Sequence, residues 1–370
     1  MNIPRSGARI ARARLLLALC ALDVATAFAA GPYAYLPSSS EATVSKVDLA
    51  DTAALPTAIT VTGTENTTGF HGAALSSNGE RLYVSDQVNE TVFEIDTTTG
   101  STLHAYFVGS NPRGIAVEPR GRHVYVADFA SAEVSIIDTS TQIVTGIDFG
   151  TLSGAANASP SGIALNLSGT RAYVTDASVG HRLCRIDLVA PPASVADADC
   201  VAVGDPDNDA ANPNAVAVSP DGSRAYVVNH NEATVSAVDT ATLTVVRTFP
   251  LGFGSPNGIA ISASGRRAYV GTGLGRIIVL DLARVPDFAL DPVIDVIDDA
   301  EILTANGVSI SPDGTRLLVA DTGSNQLHLV NIVGDADVRV ASVAVNPGPI
   351  AMGRFVQPDA IFVGGFEKAG

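Results

Sequence analysis

One segment pattern recurs along this chain, and this internal repeat constrains the fold more than any other feature. Residues 114–128 read GIAVEPRGRHVYVAD: an apolar run, a turn containing Gly121, and a second apolar run that ends in a polar residue. The pattern returns at 72–86, 162–176, 215–229, 258–272 and 307–321. Each copy is too small to bury a core alone, so the copies must pack against one another.

Each repeat has the residue pattern of a small antiparallel sheet. A third apolar run follows the first two and ends in Asp in most copies, as in TVFEID at 91–96, and a fourth run precedes the next copy. Runs of four to six residues rich in Val and Ile, separated by Gly, Pro, Asp and Thr turns, are typical of short strands. Four such strands every forty to fifty residues predict an all-β fold, the β-propeller.

The two ends of the chain supply a further, divided copy. Residues 33–37 match the second strand and 43–48 match the third, but no first strand precedes them. That strand appears at 348–356. We therefore predict seven four-stranded antiparallel blades, with the C-terminal strand pairing into the N-terminal blade (33–63) to close the ring. The 370 residues then contain one propeller domain, 30–356.

The second strands carry a motif that resembles the YVTN repeat of exported bacterial β-propeller proteins, the YncE-like family. It appears as YVSD at 83–86, YVAD at 125–128, YVTD at 173–176, YVVN at 226–229 and YVGT at 269–272. It departs to LVAD at 318–321 and YLPS at 35–38. The resemblance implies the propeller fold and does not by itself fix a function.

Two functions follow from that resemblance. The leading hypothesis is a non-catalytic binding or scaffold protein for a protein, a peptide or a cell-surface component, with no cofactor and no catalytic residues. The alternative is a lactonase-like, gluconolactonase-type hydrolase that holds a divalent metal at the channel mouth.

The residue before the first Gly or Ala of each inner strand should face the channel mouth. These candidate ligand-binding residues are His71, Arg113, Ser161, Asn214, Asn257 and Asn306. They form a polar set that could bind a small molecule, although Asn and Gly also simply shape turns. In gluconolactonase-like propellers, Asn and Asp at equivalent positions hold the cation. Here no carboxylate joins the three Asn residues, and a hard cation prefers carboxylate oxygens.

A second metal candidate lies in a loop. Asp205, Asp207 and Asp209 alternate as the ligands of calcium loops do. The loop lacks the Gly and the terminal Glu of such sites, so a solvated loop between blades is the competing interpretation.

The N-terminus has the layout of a secretory signal. Arg5, Arg9, Arg12 and Arg14 precede an apolar stretch, and small residues flank Phe28, which predicts cleavage after about Ala29 and a periplasmic or extracellular protein. A membrane anchor is the alternative, but the apolar run is shorter than a span needs. Because Cys184 and Cys200 are the two cysteines left after cleavage, a disulfide between them is expected.

The charge balance restricts the partners. The chain has 22 Lys and Arg against 38 Asp and Glu, a formal net charge of −16, which opposes binding to nucleic acid and to anionic lipid. No long apolar run follows the signal, so we expect no membrane span in the mature chain, and we expect a monomer. Residues 357–370 form a tail whose role the sequence leaves open.

Overall fold

A computed structural model describes residues 32–64, 69–149, 158–178, 180–189, 191, 196, 199–207, 210–333 and 338–350. The predicted signal peptide (1–29), the tail (357–370) and most of the predicted closing strand lie outside these ranges. In the described ranges, no helix is long and apolar enough to cross a bilayer.

The chain folds as a seven-bladed β-propeller, as predicted. Six blades are complete four-stranded antiparallel sheets whose strands pair in chain order. In chain order they are blade 1 (β4 Phe70–Leu75, β5 Arg81–Asp86, β6 Thr91–Asp96, β7 Thr102–Phe107), blade 2 (β8 Pro112–Val117, β9 His123–Asp128, β10 Glu133–Asp138, β11 Ile143–Asp148), blade 3 (β12 Pro160–Leu165, β13 Arg171–Asp176, β14 Arg182–Asp187, β15 Cys200–Ala202), blade 4 (β16 Pro213–Val218, β17 Arg224–Asn229, β18 Thr234–Asp239, β19 Thr244–Pro250), blade 5 (β20 Pro256–Ile261, β21 Arg267–Thr272, β22 Arg276–Asp281, β23 Val293–Asp298) and blade 6 (β24 Ala305–Ile310, β25 Arg316–Asp321, β26 Gln326–Asn331, β27 Val338–Ala344).

Blade 7 contains the N-terminal strands and receives the C-terminal segment. Its described strands are β1 (Tyr33–Pro37), β2 (Thr43–Asp48) and β3 (Thr57–Thr60), paired in that order. Pro349 forms an antiparallel bridge with Ser38 beside β1, and the Ile350 N–H donates to the Pro37 carbonyl oxygen at 3.0 Å. The predicted pairing of the two chain ends is therefore present at its first residues, while 351–356 lie outside the described ranges.

The hydrophobic core lies between neighbouring blades. Tyr173 and Leu183 of blade 3, for example, are completely or almost completely buried and belong to one apolar cluster with Ala225 and Val238 of blade 4. The fourth strands alternate between exposed and covered positions because they form the outer edges of the blades. The first strands of successive blades contact one another, so these strands line the centre of the ring.

Blade 3 carries the predicted disulfide between Cys184 and Cys200. The two residues are directly paired across β14 and β15. The bond ties down the long connection between these strands.

Candidate functional site

A β-bulge places the six candidate residues at the start of the inner strands. In blade 2, Pro112 pairs with Asp128 and the next pair is Ile115 with Val126, so Arg113 and Gly114 together lie opposite the single residue Ala127. Equivalent irregularities occur at the start of β4, β12, β16, β20 and β24. A bulge changes the direction in which a side chain points, and bulges are frequent beside functional sites.

Glycines bring these positions close to one another around the ring. A Cβ placed on Gly72 would lie 2.2 Å from the backbone oxygen of Arg113, and one on Gly114 would lie 2.5 Å from that of Ser161. A Cβ on Gly162 would lie 2.6 Å from the oxygen of Asn214. The first four candidate residues therefore sit on successive inner strands whose backbones are in direct contact.

The other two candidate residues are hydrogen-bonded to each other. The Asn257 amide Nδ2 donates to Asn306 Oδ1 at 2.8 Å, and Asn306 Nδ2 donates to Thr322 Oγ1 at 2.7 Å. Their side chains thus form a line of hydrogen bonds across blades 5 and 6, from Asn257 through Asn306 to Thr322. This line pairs the Asn257 NH₂ group with the Asn306 amide oxygen.

The arc from blade 1 to blade 4 is different, because its polar groups lack protein partners. His71 Nδ1, Arg113 Nε, Ser161 Oγ and Asn214 Oδ1 are buried and form no hydrogen bond with any described residue. Ser161 is only 1% exposed. Since buried polar atoms are normally paired, four such atoms on adjacent strands indicate a place for water or a ligand.

Arg113 is held by an aromatic ring. The centre of its guanidinium lies 3.4 Å from the ring centroid of Phe129, which directly follows β9 in the same blade. The Phe129 N–H donates to the Asn111 carbonyl oxygen at 3.1 Å, which fixes the ring's backbone next to the start of β8. The stacking orients the cation and leaves its outer nitrogens without a partner among the described residues.

His71 is uncharged at neutral pH. The pKa of His71 is lowered to about 3, mainly by burial and to a smaller extent by the nearby positive charge of Arg113. A neutral imidazole has one ring nitrogen that can accept a proton or a hydrogen bond. His71 therefore lies beside a cation without adding a second positive charge.

The calcium candidate remains a prediction. Asp205 and Asp207 are exposed, and Asp205 Oδ1 accepts a hydrogen bond from the Asp207 N–H at 3.0 Å, as in an ordinary Asx turn. Asp209 lies outside the described residues. Within the described part of the chain, no three His, Cys, Asp or Glu residues are grouped as metal ligands would be.

Sequence reasoning identified the strand positions but missed two features of the site. Phe129 lies outside the repeated motif, so nothing in the repeat indicated that it would stack on Arg113. The pairing of Asn257 with Asn306 depends on side-chain geometry between two blades. The one sequence signal for the stacking was that an aromatic residue, Phe129, follows the YVAD motif of blade 2, whereas the other blades have no Phe, Tyr or Trp at this position.

Part of the chain matches a known family. Residues 26–145 match the family model described as Lactonase, 7-bladed beta-propeller. Comparison with curated proteins gives no match.

Solved structures share the fold at low identity. A candidate 6-phosphogluconolactonase from Bacteroides uniformis is 17% identical with a TM-score of 0.67, covering 88% of this chain and 99% of that one. A periplasmic gluconolactonase from Pseudomonas aeruginosa is 16% identical with a TM-score of 0.65, over 86% and 97% of the two chains. Hydrazine synthase from Kuenenia stuttgartiensis is 19% identical with a TM-score of 0.63, over 79% and 92%. The chain is thus a seven-bladed propeller whose N-terminal third matches a lactonase family model.

Proposed function

We propose that this protein hydrolyses a lactone at the mouth of its channel. The observation that carries the proposal is the arc of four unpartnered, buried polar groups on adjacent inner strands: His71, Arg113, Ser161 and Asn214. The match of residues 26–145 to the lactonase model supports it, as do the names of two structural neighbours. These comparisons favour the enzyme over the scaffold role that we first expected, while the YVTN assignment stays a prediction from the motif.

The arc contains groups suited to hydrolysis. A water oxygen must bond to the lactone carbonyl carbon, the ring C–O bond must break, and the ring oxygen must receive a proton. His71 is neutral, so one of its ring nitrogens can take the proton from the attacking water. Ser161 and Asn214 supply a hydroxyl and an amide that can hold the substrate's oxygens.

A divalent metal does not fit the three Asn residues as they are arranged. Asn306 Oδ1 already accepts from Asn257 Nδ2, Asn306 Nδ2 donates to Thr322 Oγ1, and within the described part of the chain no three His, Cys, Asp or Glu residues are grouped there as metal ligands would be. Hard cations bind several oxygens, with carboxylates among them. We therefore propose a reaction that uses the side chains of the arc, and the metal-dependent form becomes an outcome of the test.

The test is a lactone hydrolysis assay on the purified protein, with and without a chelator. We expect turnover of an aldono-δ-lactone above the uncatalysed rate, unchanged by the chelator. His71→Asn should lower kcat/KM by about 10²-fold or more, in the range of general-base removal. His104→Asn is the matched control, since His104 lies on the outer strand β7 and bonds Gln142.

Two results would contradict the proposal. A folded protein that leaves a panel of five- and six-membered lactones unhydrolysed would return the scaffold hypothesis to first place. Chelator-sensitive turnover with stoichiometric metal would replace our side-chain reaction by the metal-dependent one.

A further inference from the structure

A cleft between blades 4 and 5 lies on the face of the ring opposite the channel mouth. Strand β16 starts near the mouth, beside Asn214, and ends at Val218, and the turn that follows it forms one rim of the cleft. The cleft has a volume of about 400 Å³, which is enough for a small organic molecule. Its lining residues include Asp221, Arg224 and Tyr226 of blade 4 and Arg266, Leu282 and Val285 of blade 5.

Blade 1 shows what the same position holds at another point of the ring. There Glu94 is buried opposite Tyr83, on the face that packs towards blade 2. Its carboxylate lies 3.4 Å from Arg81 Nε and accepts a hydrogen bond from the Tyr106 hydroxyl at 2.7 Å. Arg81 Nη1 also bonds Asp96 at 2.9 Å, so this one guanidinium holds two carboxylates.

Blade 4 repeats this arrangement without the second carboxylate. Arg224 bonds Asp239 through Nη1, as the blade 1 arginine bonds its aspartate. The residue opposite Tyr226, however, is Ala237, which is completely buried and has no polar group. Nε and Nη2 of Arg224 and the hydroxyl of Tyr226 therefore have no hydrogen-bond partner among the described residues.

The groups left without partners in the cleft are hydrogen-bond donors. Burial raises the pKa of Tyr226 to about 12, so its hydroxyl keeps its proton at neutral pH. Arg266 is exposed at the opposite rim and makes no ion pair with a described residue. The carboxylate that lines the cleft, Asp221, already accepts hydrogen bonds from Ser219 and Ser223. Two cations and a protonated hydroxyl suit an oxyanion.

One wall of the cleft is apolar and comes from an extended connection in blade 5. The link between the third and fourth strands spans 282–292 there, whereas the same link in blade 2 spans only 139–142. Leu282 and Val285 lie almost completely buried in this wall, and a short 3-10 turn capped by Asp281 holds it in place. A ligand whose anionic end meets blade 4 would place its body against these apolar side chains.

We propose that this cleft binds a small organic monocarboxylate with an apolar body, whose carboxylate takes the position that Glu94 occupies in blade 1. The ligand accepts hydrogen bonds from Arg224 and Tyr226, while its body packs on Leu282 and Val285. Two carboxylates then share one guanidinium, as they do in blade 1. Because the cleft lies away from the channel mouth, this inference goes beyond the proposed function and does not depend on it.

Calorimetric titration with three small molecules tests the proposal without requiring turnover. The probe 3-phenylpropionate carries both a carboxylate and an apolar body, 3-phenylpropionamide carries the body without the charge, and acetate carries the charge without the body. We expect one molecule of 3-phenylpropionate to bind per chain, about tenfold or more tightly than either of the other two, because a hydrogen-bonded charge and an apolar contact are each lost in one of them.

Variants of the cleft locate the contact. Tyr226→Phe should weaken binding of 3-phenylpropionate by about threefold or more, and Arg224→Gln should remove its advantage over the amide. Ala237→Glu supplies the missing carboxylate from the protein itself and should weaken binding by about tenfold or more. Tyr125→Phe and Arg171→Gln are the matched controls, since these residues hold the same repeat positions in blades 2 and 3, and both should bind as the wild type does.

Thermal melts show whether each variant folds. Tyr226→Phe removes a single oxygen atom, so it keeps the test decisive if Arg224→Gln, which also loses the bond to Asp239, does not fold.

The outcomes are independent of lactone hydrolysis. No saturable binding of 3-phenylpropionate at about 10 mM, equal binding of the amide, or unchanged binding in folded Tyr226→Phe and Ala237→Glu would overturn the inference even if lactones are hydrolysed. Binding that depends on Tyr226 and Arg224 in a protein that hydrolyses no lactone would support this site and contradict the proposed function.

Discussion

At the scale of single residues, the position that ends each second strand shows how similar residues acquire different properties. Asp86, Asp128, Asp176, Asn229 and Asp321 are all buried there. Asp321 accepts hydrogen bonds from four backbone N–H groups, from Ser324 and from His328, and these hold its pKa well below the usual range despite burial. Asp128 accepts one from the Ser135 N–H at 3.1 Å, and its Oδ1 has no partner among the described residues. The number of donors, more than burial itself, separates these two carboxyls.

The poorly partnered Asp128 predicts a pH-dependent stability. Desolvation raises the pKa of Asp128 to about 7 from an ordinary value of 3.8, so the folded state binds the proton more tightly than the unfolded state. Stability is then lost as pH rises from about 4 to 7. Asp128→Asn removes this loss, and we expect about 1–3 kcal/mol of added stability at pH 8 and almost none at pH 4. Urea unfolding at the two pH values measures the difference.

Asp86→Asn is the matched control for that substitution. Asp86 Oδ1 accepts N–H groups from Gly69, Val88 and Asn89, and its Oδ2 accepts the Asn89 amide at 2.8 Å. An amide at this position would place an NH₂ group against that of Asn89, so we expect about 1–3 kcal/mol of destabilisation. If both variants lose stability at pH 8, then Asp128 is ionised and stabilising, and our account of its surroundings is wrong.

At the scale of elements, the contact between successive inner strands depends on having no side chain at the bulge. A Cβ on Gly114 would meet the Ser161 oxygen at 2.5 Å and the Ile163 nitrogen at 3.0 Å, both of them backbone atoms. We expect Gly114→Ala to destabilise the protein by about 3 kcal/mol or more, because overpacked backbone has to move. Thermal unfolding compared with the wild type provides the measurement.

Gly121→Ala separates crowding from backbone strain in the same blade. Gly121 has a φ of +70°, and a Cβ there would meet nothing within 4 Å. The expected loss is about 1–2 kcal/mol, the cost of a left-handed conformation with a side chain. If Gly121→Ala is the more damaging of the two, strand contact at the mouth is less tight than the geometry indicates.

The repeat predicts elements well and the contents of the site only in part. Apolar runs and turn glycines recur in every copy, so strand order and the position of the mouth residues follow from the pattern. The stacking of Phe129 on Arg113 occurs in one blade, and the Asn257–Asn306 bond joins two blades. Such contacts depend on where the ring places side chains from distant repeats, and no local rule encodes them. Burial lowers the pKa of His71 and raises that of Asp128. The repeat pattern indicates which strands are buried, but it does not indicate how deeply each polar side chain is buried.

At the scale of the whole molecule, hydrogen bonds from residues 346–350 join the C-terminal end of the described chain to blade 7. Ser38 Oγ donates to the Pro347 carbonyl oxygen at 2.5 Å, and the Ser39 N–H donates to that of Gly348 at 2.8 Å. The Asn346 N–H also donates to Ser45 Oγ of β2 at 3.0 Å. Without these contacts β1 would have an open edge next to the channel, since its other side pairs with β2.

Two truncated chains test the importance of this closure. A chain ending at Val345 loses every contact between residues 346–350 and blade 7. Because several hydrogen bonds worth about 1 kcal/mol each are lost, its Tm should fall by roughly 5–15 °C. Its open β1 edge should also cause self-association in size-exclusion chromatography. A chain ending at Val356 keeps the predicted closing strand and removes the predicted tail, so its Tm should stay within about 2 °C of the wild type. Equal melting temperatures for the two truncated chains would mean that the segment 346–356 does not close the ring, and the seventh blade would then be held by its three N-terminal strands and its contacts with blades 1 and 6.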